Sequence, residues 1–116
     1  MDLNQFEHEL RQELSRISYV RNIEIKPRTA ISMQGKATLP GSYVLHVFFN
    51  ETFFILSFSL VFKHKRIWAI DRDNRIGWHI HPLDNPNSHL PTNEKTIHQI
   101  IAIFDEVCKE RGIHKT

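Results

Sequence analysis

Cysteine, glycine and long apolar runs are what this chain of 116 residues has least of. Cys108 is the single cysteine, which excludes an intrachain disulfide and a multi-cysteine zinc site and points to a reducing compartment, the cytoplasm. With only four glycines, the chain contains no G-x-x-x-x-G-K-[ST], no G-x-G-x-x-G and no G-x-S-x-G, so a phosphate-cradling loop and nucleotide-dependent catalysis are not expected. The longest apolar stretch, FFILSFSLVF at 53–62, holds ten residues and two serines. That is about half of the roughly 20 residues that a membrane-spanning helix needs. The opening MDLNQFEHELRQELSRI mixes acids with apolar residues and lacks both a basic segment and a continuous apolar one, so no secretory signal is expected. Charge of one sign is also missing. Fifteen Lys and Arg against 13 Asp and Glu leave +2 with histidines neutral, and the eight histidines make the balance more basic on mild acidification. Such a balance permits an anionic partner without requiring one.

What is present sorts into two periods. Leu3, Phe6, Leu10, Leu14 and Ile17 recur at spacings of three and four, with Asp2 placed to cap them, and predict an amphipathic helix. The middle of the chain is rich in β-branched and aromatic residues: YVRNIEI, RTAISMQGKATL, SYVLHVFF, TFFILSFSLVF, RIWAID and RIGWHIH. Turn-like LPGS, FNET, KHKR and RDNR lie between or beside them. Connections this short imply antiparallel pairing, because a parallel crossover needs about a dozen residues or more. PLDNPNSHLPTN, at 82–93, reads as a surface loop beside the histidines. From Glu94 to about Arg111 the helical period returns, with Thr92 or Asn93 as the cap and Lys109 and Arg111 in the last turn. The expectation is a single α+β domain over 1–116: an N-terminal helix, a mainly antiparallel sheet of four to six strands, and a C-terminal helix packed on one face.

The chemistry concentrates in DRDNRIGWHIHP, residues 71–82. With Asp73 and Asn74 as the two central residues of a tight turn, Arg72 faces Arg75, Ile70 faces Gly77, Trp68 faces His79 and Arg66 faces His81. Alternation then places Ile67, Ala69, Asp71, Ile76, Trp78 and Ile80 on an apolar face, and the arginines, His79 and His81 on the other. Two histidines at i and i+2 stand roughly 6 to 7 Å apart, a spacing that suits a general acid and base for phosphodiester cleavage. Arg66, Arg72 and Arg75 would neutralise the transition state, and Trp68, with Trp78, would offer a base a stacking plane. The bland alternatives stand beside this reading. Arginines at a turn frame a solvated tip, tryptophans are more often core, and Lys63, His64, Lys65 and Arg66 read first as a hairpin tip kept soluble.

His79-x-His81 could also hold zinc, with His89 or Asp84 completing the set. GWHIHP is similar to the H-x-H-P core of JAMM-type isopeptidases, but Ser88 comes one place early and Pro91 or Thr92 stands where that family has its aspartate, so no metal or other cofactor is expected on that ground. IDRDN followed by GWHIHP, a further histidine after a proline-containing loop and a closing amphipathic helix resembles the TumE family of prokaryotic toxin–antitoxin toxins, over roughly residues 60 to 110. Asp73 and Asn74 match that family's Asp-Asn pair, and His79 and His81 its histidine motif. Trp78 and Ile80 stand where many members carry further histidines. The resemblance implies a cytoplasmic toxin acting on RNA or on translation and silenced by a cognate antitoxin.

The leading expectation is therefore a metal-independent ribonuclease or RNA-binding toxin. His79, His81 and Arg75 would be catalytic, and Lys65, Arg66, Trp68, Arg72, Asp73, Asn74 and His89 would bind RNA. Two alternatives stay open: a non-enzymatic interaction module, and a small metal-dependent hydrolase using His79 and His81. SYVLHVFF or FFILSFSLVF could pair two copies into a homodimer if either forms a sheet edge.

Overall fold

A computed structural model describes residues 1–115. Among these residues the order is α1 (Leu3–Ser15), β1 (Asn22–Thr29), β2 (Ser32–Thr38), β3 (Tyr43–Asn50), β4 (Ile55–Phe62), β5 (Lys65–Asp73), β6 (Gly77–His81), β7 (Leu90–Pro91), α2 (Ile97–Arg111) and a closing 3₁₀ turn, Ile113–Lys115. The strands form one sheet in chain order, each antiparallel to the next. Short connections between consecutive strands leave no other arrangement. No helix among the described residues is long and apolar enough to cross a membrane.

Both helices lie on one face, as their periodicity predicts. Asp2 caps α1 by accepting the Gln5 amide at 2.8 Å, and Phe6, Leu10 and Leu14 point inward one turn apart. The caps of α2 are better built. Thr96 and Gln99 close a reciprocal capping box, and Gly112 ends the helix at φ 80°. The helix therefore starts at Ile97, later than Glu94, and its cap is Thr96 in place of Thr92 or Asn93. Alternate residues of β3 and β4 meet the helices. Phe6 stacks on Phe49 at 4.1 Å between ring centres, and Phe58, Leu60 and Ile70 complete a continuous core with α2.

Seven strands stand where four to six were expected. The seventh, β7, is two residues long and lies inside the segment read as a loop. RTAISMQGKATL does not form one strand either, because the chain turns at Ala30–Ile31 between β1 and β2. The larger correction is the β5–β6 register. Asp73 pairs with Gly77, Arg72 with Trp78, Ile70 with Ile80, Asp71 with His79 and Ala69 with His81. The loop has three residues, Asn74 to Ile76, rather than two. Asp73 Oδ1 accepts the amides of Arg75 and Ile76 at 2.9 and 2.7 Å, and Gly77 closes the turn at φ 81°. Those amides hold the Asp73 carboxyl below the usual carboxylate range, that of Ile76 contributing most. One extra loop residue exchanges the two faces of β6 relative to β5.

Candidate metal centre

The consequence of that register is a polar cluster on the face of the sheet away from the helices. Trp78 and Ile80 turn toward the core, so His79 and His81 point the other way, beside Asp71 and Ala69 of β5. Ala69 leaves room for the His81 ring. Ser57, opposite Asp71 on β4, donates to Asp71 Oδ1 at 2.7 Å and fixes the carboxylate from below.

The segment after His81 then folds back over the pair. Turns at Pro82–Asn85 and Asn85–Ser88 reverse the chain, and β7 pairs Pro91 with His79 and Leu90 with Ile80. The Thr92 amide donates to the Trp78 carbonyl at 3.1 Å and anchors the return. This path buries both histidines to 2% exposure and sets the exposed His89 ring 4.5 Å from His81 and 5.5 Å from His79, centre to centre. One ligand atom from each of the three lies within 4.8 Å of the other two.

The hydrogen bonds decide which nitrogens are free. His79 Nδ1 lies 2.9 Å from the Gly77 carbonyl oxygen, and His81 Nδ1 lies 3.1 Å from that of Pro86. A carbonyl only accepts, so both Nδ1 atoms carry a proton, and each ring in its neutral form presents its lone pair at Nε2. Arg66 shares the Pro86 carbonyl at 3.3 Å, and its 3.4 Å approach to His81 Nδ1 is a contact between two donors. Burial first, and then the Arg66 guanidinium, push the His81 pKa down against the opposing pull of Asp71. The Nε2 atoms of His79 and His81 converge on a single oxygen, Asp71 Oδ2, at 3.5 and 3.2 Å. Lone pairs facing a carboxylate oxygen repel unless a proton or a cation lies between them.

The two distances from Asp71 Oδ2 match those between neighbouring ligands of a metal ion. Zinc bonds to imidazole nitrogen and carboxylate oxygen are about 2.0–2.2 Å, so neighbouring ligands of a tetrahedral ion stand roughly 3.3 to 3.5 Å apart. The outer contacts also match: a ligating histidine commonly donates its other nitrogen to a carbonyl, and a ligating carboxylate is itself hydrogen-bonded. Gly77, Pro86 and Ser57 supply those three contacts.

The expected RNA face is not assembled. Trp68 is 2% exposed and packs in the core against Phe104, and Arg72 lies on the helix side of β5, both opposite to the histidines. Arg72 donates to the Phe54 carbonyl at 2.6 Å and to Asn74 Oδ1 at 2.9 Å, while Asn74 Nδ2 donates to the Phe53 carbonyl at 3.1 Å. Those two residues tie the β5–β6 turn to the β3–β4 turn. Asp73 caps its own turn, Arg75 is exposed at the tip, and Lys65 is exposed at the start of β5. Arg66 and His89 are the expected RNA ligands that do lie beside His79 and His81. Arg66 arrives there because Ile67 is an extra residue in β5, which shifts the pairing between Leu60–Trp68 and Val61–Arg66. Asp71 and Ser57 were not foreseen, since the two-residue turn placed Asp71 on the opposite face. A glycine four residues after Asp73 was the available sign of a longer turn.

Compared with family models, curated proteins and solved structures, the chain matches none of them.

Proposed function

We propose that this protein binds one transition-metal ion of the zinc class through His79, His81 and His89, with Asp71 as the fourth ligand. The ion then fastens the 82–91 segment to the open face of the sheet. The observation that carries the reading is the convergence of two imidazole Nε2 atoms on one carboxylate oxygen, with a third histidine folded against them. Four protein ligands make a closed site, the arrangement of structural zinc, whereas a hydrolytic site keeps a position for water. The metal is therefore a clasp in this reading. Metal-independent cleavage of RNA, the activity expected from the histidine pair, requires histidines, cations and a stacking plane on one accessible face. Here both histidines are buried and Trp68 and Arg72 face the other way, which favours metal holding.

Cobalt(II) titrated into chelator-treated protein tests this directly, because a tetrahedral site gives cobalt an intense visible spectrum. The expected result is one ion per chain, displaced by zinc, with the spectrum lost in His79→Ala and in His81→Ala. Absence of stoichiometric binding by the folded wild-type chain, or a full spectrum in both variants, would overturn the proposal. A ribonuclease activity that survives chelation and vanishes in His81→Ala would replace it with the toxin reading.

A further inference from the structure

The open face of the sheet carries a second feature, apart from the metal centre. The end of β2, the start of β3, the end of β4 and the β4–β5 turn frame a cavity of about 490 Å³, within the roughly 300–1,000 Å³ common for ligand sites. Val44 and Val61 pair across the sheet and form its apolar floor. Their neighbours Leu45 and Leu60 join the core beneath the helices, so both valines face outward.

Every ionisable group on the walls is basic. Lys36 and His46 stand opposite each other on β2 and β3, Lys63 and His64 form the β4–β5 turn, and Ser42 adds a hydroxyl. Among the described residues, the side chains of Lys36, Ser42, His46 and His64 take no hydrogen-bond or ion-pair partner, whereas Arg11, Arg16 and Lys109 each pair with a carboxylate. Lys63 is partly engaged, its Nζ 5.2 Å from the centre of the Phe62 ring. Burial, and then Lys36, push the His46 pKa down. A cation beside an imidazole has that effect when no anion lies between them. Glu24 faces Lys36 from β1, but it accepts from Asn22 Nδ2 at 3.2 Å and lies outside the cavity.

The rim is built under strain. Ser42, Lys63 and His64 hold φ at 68°, 48° and 69°, where side chains are disfavoured, and all three line this one cavity. Phe62 pairs with Lys65, so the β4–β5 turn has two residues, and Asn-Gly would close such a turn without strain. Lys-His instead sets basic side chains at the opening. We infer that the cavity binds a compact dianion of the phosphate monoester class, its oxygens held by Lys36, His46 and His64 and its organic body lying on Val44 and Val61. A strand of nucleic acid fits less well, because Glu24 on β1 and Asp71 on β5 interrupt the basic surface on either side.

Three probes with one ring and different charge decide the matter: phenyl phosphate, phenyl sulfate and benzyl alcohol, each titrated into the full chain at pH 7.5 and constant ionic strength and followed by amide NMR. Phenyl phosphate should bind first, about tenfold tighter than the singly charged sulfate, as one further charge-assisted hydrogen bond implies. Benzyl alcohol should be weakest. The shifts should centre on Lys36, His46 and the β4–β5 turn. Lys36→Gln and His64→Gln, both at exposed positions, should each weaken phenyl phosphate about tenfold in a folded chain. Equal binding of all three to wild type, no binding by any, or shifts centred elsewhere would overturn the proposal. A thymidine oligonucleotide that binds more tightly than phenyl phosphate, with shifts running on to Lys26 and Arg28, would replace it with a polymer surface. Should either variant fail to fold, the wild-type ranking decides alone. A repeat in His81→Ala should give the same ranking, so this site and the metal centre fail or stand separately.

Discussion

Phe58 and His81 lie two strands apart on the same sheet, one beneath the helices and the other on the opposite face, and both are removed from water at 0% and 2% exposure. Phe58 is buried by apolar packing on every side, which requires no partner beyond shape. His81 is buried by a short polar segment, and each of its nitrogens must be answered: Nδ1 by the Pro86 carbonyl, Nε2 by whatever separates it from Asp71. The first kind of burial drives folding in water alone. Under the proposed metal reading the second waits for an ion, which would make the helix face the foundation of the fold and the open face its conditional part.

The widest contrast comes from removing each side chain. Phe58→Ala should cost about 3–5 kcal/mol in urea unfolding whether or not metal is present. His81→Leu, in chelator, should cost less than about 1 kcal/mol, because Arg66 still donates to the Pro86 carbonyl and an apolar group replaces a polar one. Zinc at a hundredfold excess over its dissociation constant should stabilise the wild type by about 2.7 kcal/mol. His81→Leu should lose that increment and Phe58→Ala should keep it. An equal loss for His81→Leu with and without zinc would erase the distinction between the faces.

A smaller difference is expected in alkali, where the helix side carries the responsive groups. Tyr19 donates its hydroxyl to Asp105, and burial together with that carboxylate raises its pKa. Burial pushes the Cys108 thiol up to about 12. Both folded values lie above those of the unfolded chain, about 8.5 for cysteine and 10 for tyrosine. The unfolded state therefore loses its protons first. The stability these groups contribute is complete below about pH 8.5 and is lost progressively as pH rises toward 12. Thermal midpoints measured across that window should fall more steeply for wild type than for Cys108→Ala or Tyr19→Phe. Parallel slopes would mean that the helix side does not hold these protons.

The two faces were also unequally legible in the sequence. Period alone identifies Phe6, Leu10, Leu14, Ile100 and Phe104 as core, because each helix needs only its own spacing to choose a face. The open face depends on pairing between strands. His79 and His81 share a side under any register, and His89 was already a candidate third ligand, so three of the four proposed ligands could be read directly. Asp71 could not, since its side depends on one residue of loop length, and an Asn-containing turn can close with two residues or with three. Arg66 was placed beside His81 for the wrong reason. The expected pairing was off by three residues, since Ala69 and not Arg66 stands opposite His81, and the unforeseen Ile67 bulge returned Arg66 to the histidine side.

Gly77 links the two accounts and gives the smallest contrast between chelator and zinc. It ends the three-residue loop at φ 81°, and its carbonyl accepts from His79 Nδ1 at 2.9 Å. A Cβ built there meets no atom within 4 Å, so Gly77→Ala carries only the backbone penalty of a left-handed conformation, about 1–2 kcal/mol. Lys63 and His64, at φ 48° and 69° in the β4–β5 turn, show that this fold accepts side chains in that region. Unfolding of Gly77→Ala in chelator and in zinc should show the same loss in both, with His79 still held by the carbonyl. A loss that doubles in zinc would show that the turn also sets the angle of the His79 ring, and the open face would then depend on its hairpin as much as on its ion.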